Sequence, residues 1–312
     1  MAVAGGDAIN RQARSAIALA GLGAMLFSAK AVVVKLCYRH GADTETVLAL
    51  RMAFSVPFFW SAVWWQTSVR RPAPIERRDV ATALLLGFVG YYIASYLDFL
   101  GLQYISAGLE RIILYLSPTI VLVVSAVLLG KHIDRRQWLA MFVAYAGVLL
   151  VFLHDVRLEG QRATLGSSLV FMSALAYAIY LIHAGEVVQR VGSVRLVAFA
   201  SGGATVLCVL QALIGNPRGL VSQSPEVYAL SLLNGSLCTA VPMLLVMAAV
   251  KQVGPGLAAQ AGVIGPVATL VLGWYFLGEP ITALQLLGMV VVLVSIGILL
   301  GASRRPQARA AV

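Results

Sequence analysis

The apolar residues of this chain are gathered into blocks nearly as long as a bilayer is thick. Val80–Tyr96 and Ile112–Gly130 are two of them, and neither contains a charged side chain. A helix crossing the hydrocarbon core takes ~20 apolar residues. Blocks of this kind recur between charged or Gly/Pro-rich breaks near 15–36, 43–66, 80–101, 105–129 and 136–153. A second set follows near 164–184, 193–214, 226–250, 255–277 and 282–301. Only 12% of the residues are charged and 60% are hydrophobic, whereas a soluble domain needs about a quarter of its residues charged. The expectation is an all-α integral membrane protein with ten transmembrane helices.

The net charge of +10 raises the question of nucleic acid, and placing each Lys and Arg answers it. With the N-terminus inside, inner segments hold fifteen of the 23 basic residues, outer segments five, and the spans three. That bias is the positive-inside signal of a multi-pass protein of the cytoplasmic (inner) membrane with both termini cytoplasmic, including short tails at 1–14 and 302–312. No nucleic-acid partner is needed. Cys37, Cys208 and Cys238 are scattered, odd in number and without ligand spacing, so they read as small apolar residues and give no metal site. Arg11, Arg14 and the small residues around Ser28 have some features of a cleaved signal, but the first span has a counterpart in the second half and is expected to remain.

That counterpart is part of an internal repeat. Residues 108–152 superimpose without a gap on 256–300 at an offset of 148, matching Gly108 with Gly256, Pro118 with Pro266, Gly130 with Gly278 and Gln137 with Gln285. Earlier in each half an offset of 150 pairs Arg51 with Ser201. The repeats run over 15–153 and 164–301, five helices each. Because five is odd, the second enters the membrane from the opposite side. This is the inverted-repeat plan of secondary transporters, with substrate bound near the midplane between the halves.

The residues that carry the repeat also carry a resemblance. Gly108-Leu109, Ser117-Pro118, Leu128-Leu129-Gly130, Gln137 and Gly147 are echoed by Gly256, Gly265-Pro266, Leu277-Gly278-Glu279-Pro280, Gln285 and Gly288. The pattern resembles tandem EamA domains of the drug/metabolite transporter superfamily over about residues 17–301. Leu-Gly-Glu-Pro is its most specific piece, and the first half departs from it with Leu-Gly-Lys-His at 129–132. The resemblance implies ten helices, termini inside, and transport of metabolites or amino acids, usually outward, with no cofactor.

Charged side chains inside spans cost ~2.5–3.5 kcal/mol each on insertion scales and are candidates for function. There are five: Lys30, Arg51, Asp98, Glu110 and Arg111, all in the outer half of the first repeat, and their counterparts in the second are uncharged. One reading makes them structural ion pairs, with Asp98 against Arg111 or Arg51 and Lys30 snorkelling outward. The other makes them a substrate or proton site whose excess of one positive charge suits a carboxylate or phosphate. A stripe of Gly87, Tyr91, Ser95 and Asp98 on the third span points to a polar cavity. Ser231, Asn234 and Cys238 on the eighth span and Gln260 on the ninth are its expected partners. Tyr177, Tyr180, Phe54 and Phe58 are candidate aromatic walls, and Pro118 and Pro266 a symmetric pair of hinges. Tryptophans 60, 64, 65, 138 and 274 fall at interfacial positions, and His183 with Glu186 stands near the inner end of the sixth span.

An intramembrane enzyme would need a nucleophile with its base, a metal cluster or paired acids. The histidines lie at span ends, and the one acid pair sits among cations. A scaffold or receptor would want larger loops than these. The expected activity is therefore secondary transport of a small polar metabolite such as an amino acid, with export the direction that the resemblance implies. Protons are a candidate coupling ion, lipid is the surround, and the protein is a monomer or homodimer. Uptake or exchange by the same fold is the alternative.

Overall fold

The computed structural model describes residues 3–70, 74–130, 132–245 and 264–303. Ten helices account for the described membrane part. They are α1 Val3–Arg39, α2 Thr44–Arg70, α3 Arg77–Gly101, α4 Ala107–Leu129 and α5 Arg135–Glu159. The second five are α6 Gln161–Val191, α7 Ser193–Gly215, α8 Pro225–Leu245, α9 Ile264–Leu277 and α10 Ala283–Ser303. The protein is thus an all-α membrane protein built from two five-helix halves. The sequence expectation places the first span near 15–36; the apolar spanning part of α1 is Gly21–Arg39. α6 also outruns its expected end at 184, because Arg190 is held there by Asp79 of α3.

Helix contacts obey the repeat. α3 packs on α6 and α7, and α8 packs on the counterparts α1 and α2. α9 packs on α1 as α4 packs on α6, while α2 meets α7 and α5 meets α10 across the pseudo-twofold. Small residues make these crossings possible, as helices surrounded by lipid approach through their least bulky positions. A Cβ on Gly87 would stand 2.2 Å from the Ala200 carbonyl oxygen, and one on Gly235 2.6 Å from that of Arg51. Gly87 and Gly235 are 148 residues apart and their partners 149, so one contact is made twice. α5 and α10 close on each other where a Cβ on Gly288 would lie 2.8 Å from the Gly147 carbonyl oxygen. There Ser295 Oγ donates to the Ala140 carbonyl at 2.7 Å.

Local chemistry repeats as well. Gln137 Oε1 accepts from the Asp134 amide, and Gln285 Oε1 accepts from the Thr282 amide while Thr282 Oγ1 accepts from the Gln285 amide. The second is a reciprocal capping box that starts α10, and the first is the glutamine half of one at the start of α5. Gly130 and Gly278 end α4 and α9 at φ +62° and +67°, a left-handed conformation that glycine adopts without strain. α3 carries a π segment at Phe88–Ile93 and α8 one at Ser236–Ala240, starting 148 residues apart. Such wide turns inside α-helices are common at functional sites.

Pro118 does more than bend its helix. α4 is interrupted at Tyr115 and Leu116 and resumes as Ser117–Leu129 with Pro118 in its first turn. Proline supplies no amide for the Leu114 carbonyl, and Ser117 Oγ donates to that oxygen instead at 2.5 Å. Pro266 is the third residue of described α9.

Candidate functional site

Lys30 on α1 is the hub of the buried charges. Its Nζ lies 2.5 Å from Asp98 Oδ2 of α3 and 3.2 Å from Glu110 Oε1 of α4. Lys30 is 4% exposed, Asp98 3% and Glu110 0%, so the lysine turns inward to the acids and does not snorkel. The expected pairing of Asp98 with Arg51 or Arg111 is replaced by pairing with Lys30. The reason is packing: Asp98 and Glu110 flank the tight α3–α4 connection, and α1 runs past both.

The two arginines are buried without a carboxylate within 4.0 Å among the described residues. Arg51 donates from Nε to Thr239 Oγ1 at 3.0 Å and from a terminal nitrogen to Ser95 Oγ at 3.5 Å. Arg111 donates from Nε to Thr269 Oγ1 at 3.1 Å and to the Phe27 carbonyl at 3.0 Å. Both threonines come from the second half, so each arginine of the first half is anchored across the repeat boundary. Aromatic rings separate the cations. Arg51 lies 5.0 Å and Lys30 6.0 Å from the Phe99 ring centroid, while Lys30 lies 5.7 Å and Arg111 5.5 Å from that of Phe27. Cations placed over ring faces are stabilised by the ring quadrupole, more so when desolvated.

α8 presents a second face of the same region. Ser231, Asn234 and Cys238 are all buried. The Asn234 carbonyl accepts from Thr239 Oγ1 at 2.8 Å, in the widened turn that also holds Arg51. Tyr91 packs edge-on against Tyr180 at 5.4 Å and donates to Met243 Sδ at 3.6 Å. Tyr177 stacks on Tyr180 at 5.6 Å but is itself 40% exposed, and Phe58 is exposed too. Gly87 serves the α3–α7 crossing and not the polar interior. Gln260 lies outside the described residues.

Polar contacts close the two ends differently. At one end Lys35 Nζ meets Glu279 Oε1 at 2.6 Å, and the Glu279 carboxylate also accepts from the Ala107 amide at 3.0 Å. Arg39 donates to the carbonyls of Phe276 and Leu277. Asn216 Nδ2 donates to Asp43 Oδ2 at 3.0 Å, and Gln103 reaches Thr44. At the other end Arg190 donates to Asp79 Oδ1 at 2.9 and 3.1 Å beside a cavity of about 650 Å³. His183 and Glu186 are exposed on the same end of α6.

The duplicated architecture has a counterpart among known proteins. The pattern of the EamA-like transporter family matches residues 14–153 and again 164–301. The chain belongs to this family. The uncharacterized transporter YcbK of Bacillus subtilis is 28% identical over 273 residues, covering 86% of each chain. An uncharacterized transporter of Archaeoglobus fulgidus is 25% identical across 88% of this chain and 92% of its own. A protein of known crystal structure shares the fold with a TM-score of 0.66 at 14% identity, over 95% of this chain and 99% of that one.

Within this EamA protein, most residues of the sequence pattern are architectural. Gln137 and Gln285 cap helices, Gly130 and Gly278 end them, and Gly147 and Gly288 admit a close crossing. Glu279 adds a charged tie from the end of α9 to α1 and α4. The sequence reading missed Thr239, Thr269, Phe27 and Phe99. Their only signal was proximity along the chain: Phe99 adjoins Asp98, and Phe27 stands one helical turn before Lys30.

Proposed function

We propose that this EamA protein is a secondary transporter that carries a small polar metabolite across the cytoplasmic membrane by alternating access, in the direction of export. The observation that carries the proposal is the charge cluster. Five ionisable side chains are buried within the spans of one half, which Arg51–Thr239 and Arg111–Thr269 hydrogen bonds tie to the other. Burial of this much charge is costly for a structure that needs only to stand in a membrane. Relatives named as transporters and the inverted repeat support the same reading.

In this reading the Glu279 end faces outward, both termini are cytoplasmic, and the substrate displaces part of the cluster's internal pairing as the halves rock. Closure around Lys35 and Glu279 then describes an outwardly sealed state. Glu110 is the carboxyl best placed to carry a proton, being fully buried and sharing its lysine with Asp98.

Reconstituted protein tests this directly. Arg51→Ala is expected to insert and fold but to abolish flux of the transported metabolite in proteoliposomes. Normal flux in that variant returns the cluster to a structural role. Flux indifferent to an imposed pH gradient removes Glu110 as a proton carrier.

A further inference from the structure

The cluster is not only charged but incompletely satisfied, and the kind of group left over is specific. Asp98 Oδ1 and Glu110 Oε2 are buried with no hydrogen-bond partner among the described residues. So are the Ser231 hydroxyl and both amide atoms of Asn234, a residue that is 0% exposed. Buried polar groups in native proteins are nearly always paired, so a concentration of unpaired ones asks for a missing partner.

A run of contacts links these groups. Asn234 stands where α8 touches α2: its carbonyl is bonded to Thr239, which receives Arg51 Nε, and the neighbouring Gly235 presses on the Arg51 carbonyl. Arg51 and Lys30 address the same Phe99 ring, and Lys30 binds Asp98 and Glu110. With both carboxylates ionised, Lys30, Arg51 and Arg111 outnumber Asp98 and Glu110 by one positive charge among the described residues.

The charge and the hydrogen-bonding demand constrain the occupant together. A cation worsens the imbalance, and a zwitterion or a neutral sugar leaves it unchanged. A phosphate monoester carries ~1.5 to 2 negative charges at neutral pH and overshoots. A simple fatty acid supplies the single anion but no donors for the waiting carboxylate oxygens. A carboxylate bearing hydroxyl groups meets both needs. Its carboxylate matches the guanidinium fork of Arg51, and its hydroxyls donate to Asp98 Oδ1 and Glu110 Oε2 and accept from Asn234 Nδ2. We infer that the substrate is a small hydroxylated monocarboxylate, held where Arg51, Asn234 and the Lys30–Asp98–Glu110 cluster adjoin. This assignment rests on the transport reading above, and it narrows the substrate class.

Two matched trios of probes test it on the purified full chain. D-gluconate, D-glucitol and hexanoate share a six-carbon length but offer anion with hydroxyls, hydroxyls alone and anion alone. D-glycerate, glycerol and propionate do the same at three carbons. At saturation at least one hydroxy acid is expected to raise Tm by about 3 °C or more, with its two partners giving less than a third of that. Arg51→Lys keeps the charge but loses the fork, and it should weaken the response at least tenfold in ligand concentration. Asn234→Ala should abolish most of the response without lowering the Tm of the unliganded protein, because the amide has no partner among the described residues to lose. An Asn234→Ala protein that is itself destabilised shows a structural amide and overturns the assignment. So does equal stabilisation by the neutral or hydroxyl-free probes, or none by any probe, in which case water fills the site. Counterflow in proteoliposomes separates the two readings. Transport of D-glucitol as fast as D-gluconate sinks the substrate class and leaves transport standing, whereas binding without flux does the reverse.

Discussion

Lys35 and Glu279 lie 2.6 Å apart, and each is tied to the residues that hold the buried charges. Lys35 sits five residues beyond Lys30 on α1. Glu279 follows α9, whose Thr269 receives Arg111, and its carboxylate accepts from the Ala107 amide at the start of the helix bearing Glu110. This end and the polar centre therefore share three helices.

Glu279→Gln removes the ion pair and weakens the bond to Ala107. Both side chains are about a fifth exposed, so the expected loss of stability is modest, about 1–3 kcal/mol. The same change should expose Cys37, which is fully buried two residues beyond Lys35 on α1. In a protein carrying Cys37 as its sole cysteine, membrane-impermeant maleimide should label the Glu279→Gln variant faster. An unchanged labelling rate with unchanged Tm contradicts a sealing role.

Lys30→Met strands two carboxylates in a buried site and is expected to destabilise by ~3–5 kcal/mol. Combining it with Asp98→Asn and Glu110→Gln removes the stranded charge and should recover most of that stability. Flux is expected to stay lost in the triple variant. Recovery of flux along with stability assigns the triad to architecture.

The α5–α10 crossing allows a clean steric comparison. Gly288→Val places atoms where a Cβ already stands 2.3 Å from Val151 Cγ2 and 2.8 Å from the Gly147 carbonyl oxygen, so yield and Tm should collapse. Gly297 and Gly185 have open space at that position. Alanine at either should be neutral or stabilise by up to about 1 kcal/mol. Thermal denaturation of the three variants side by side decides the point.

Orientation follows from accessibility. A cysteine at Glu76, near the Arg190 end, should react only after the membrane is permeabilised from the cytoplasmic side, and one at Ser222 should react from outside. Both positions are exposed. The reverse pattern inverts the assigned topology and, with it, the direction in which the Glu279 end faces.

Hydropathy and repetition were sufficient for the plan of ten helices in two halves, because a spanning helix must satisfy its own backbone and be apolar over a known length. They also marked Lys30, Arg51, Asp98, Glu110 and Arg111, since charge in an apolar run stands out whatever surrounds it. Pairing was another matter. That Lys30 takes both carboxylates, that Arg51 and Arg111 rest on Thr239 and Thr269, and that Glu279 fastens α9 to α1 and α4 depend on which helix faces meet. In lipid those faces are chosen by close packing at small residues such as Gly87, Gly235 and Gly288, not by hydrophobicity. One-dimensional periodicity carries no record of that choice, and the wide turns at Phe88–Ile93 and Ser236–Ala240 shift the faces further. The chain's own pattern determined what must be buried; the tertiary structure alone decided beside whom.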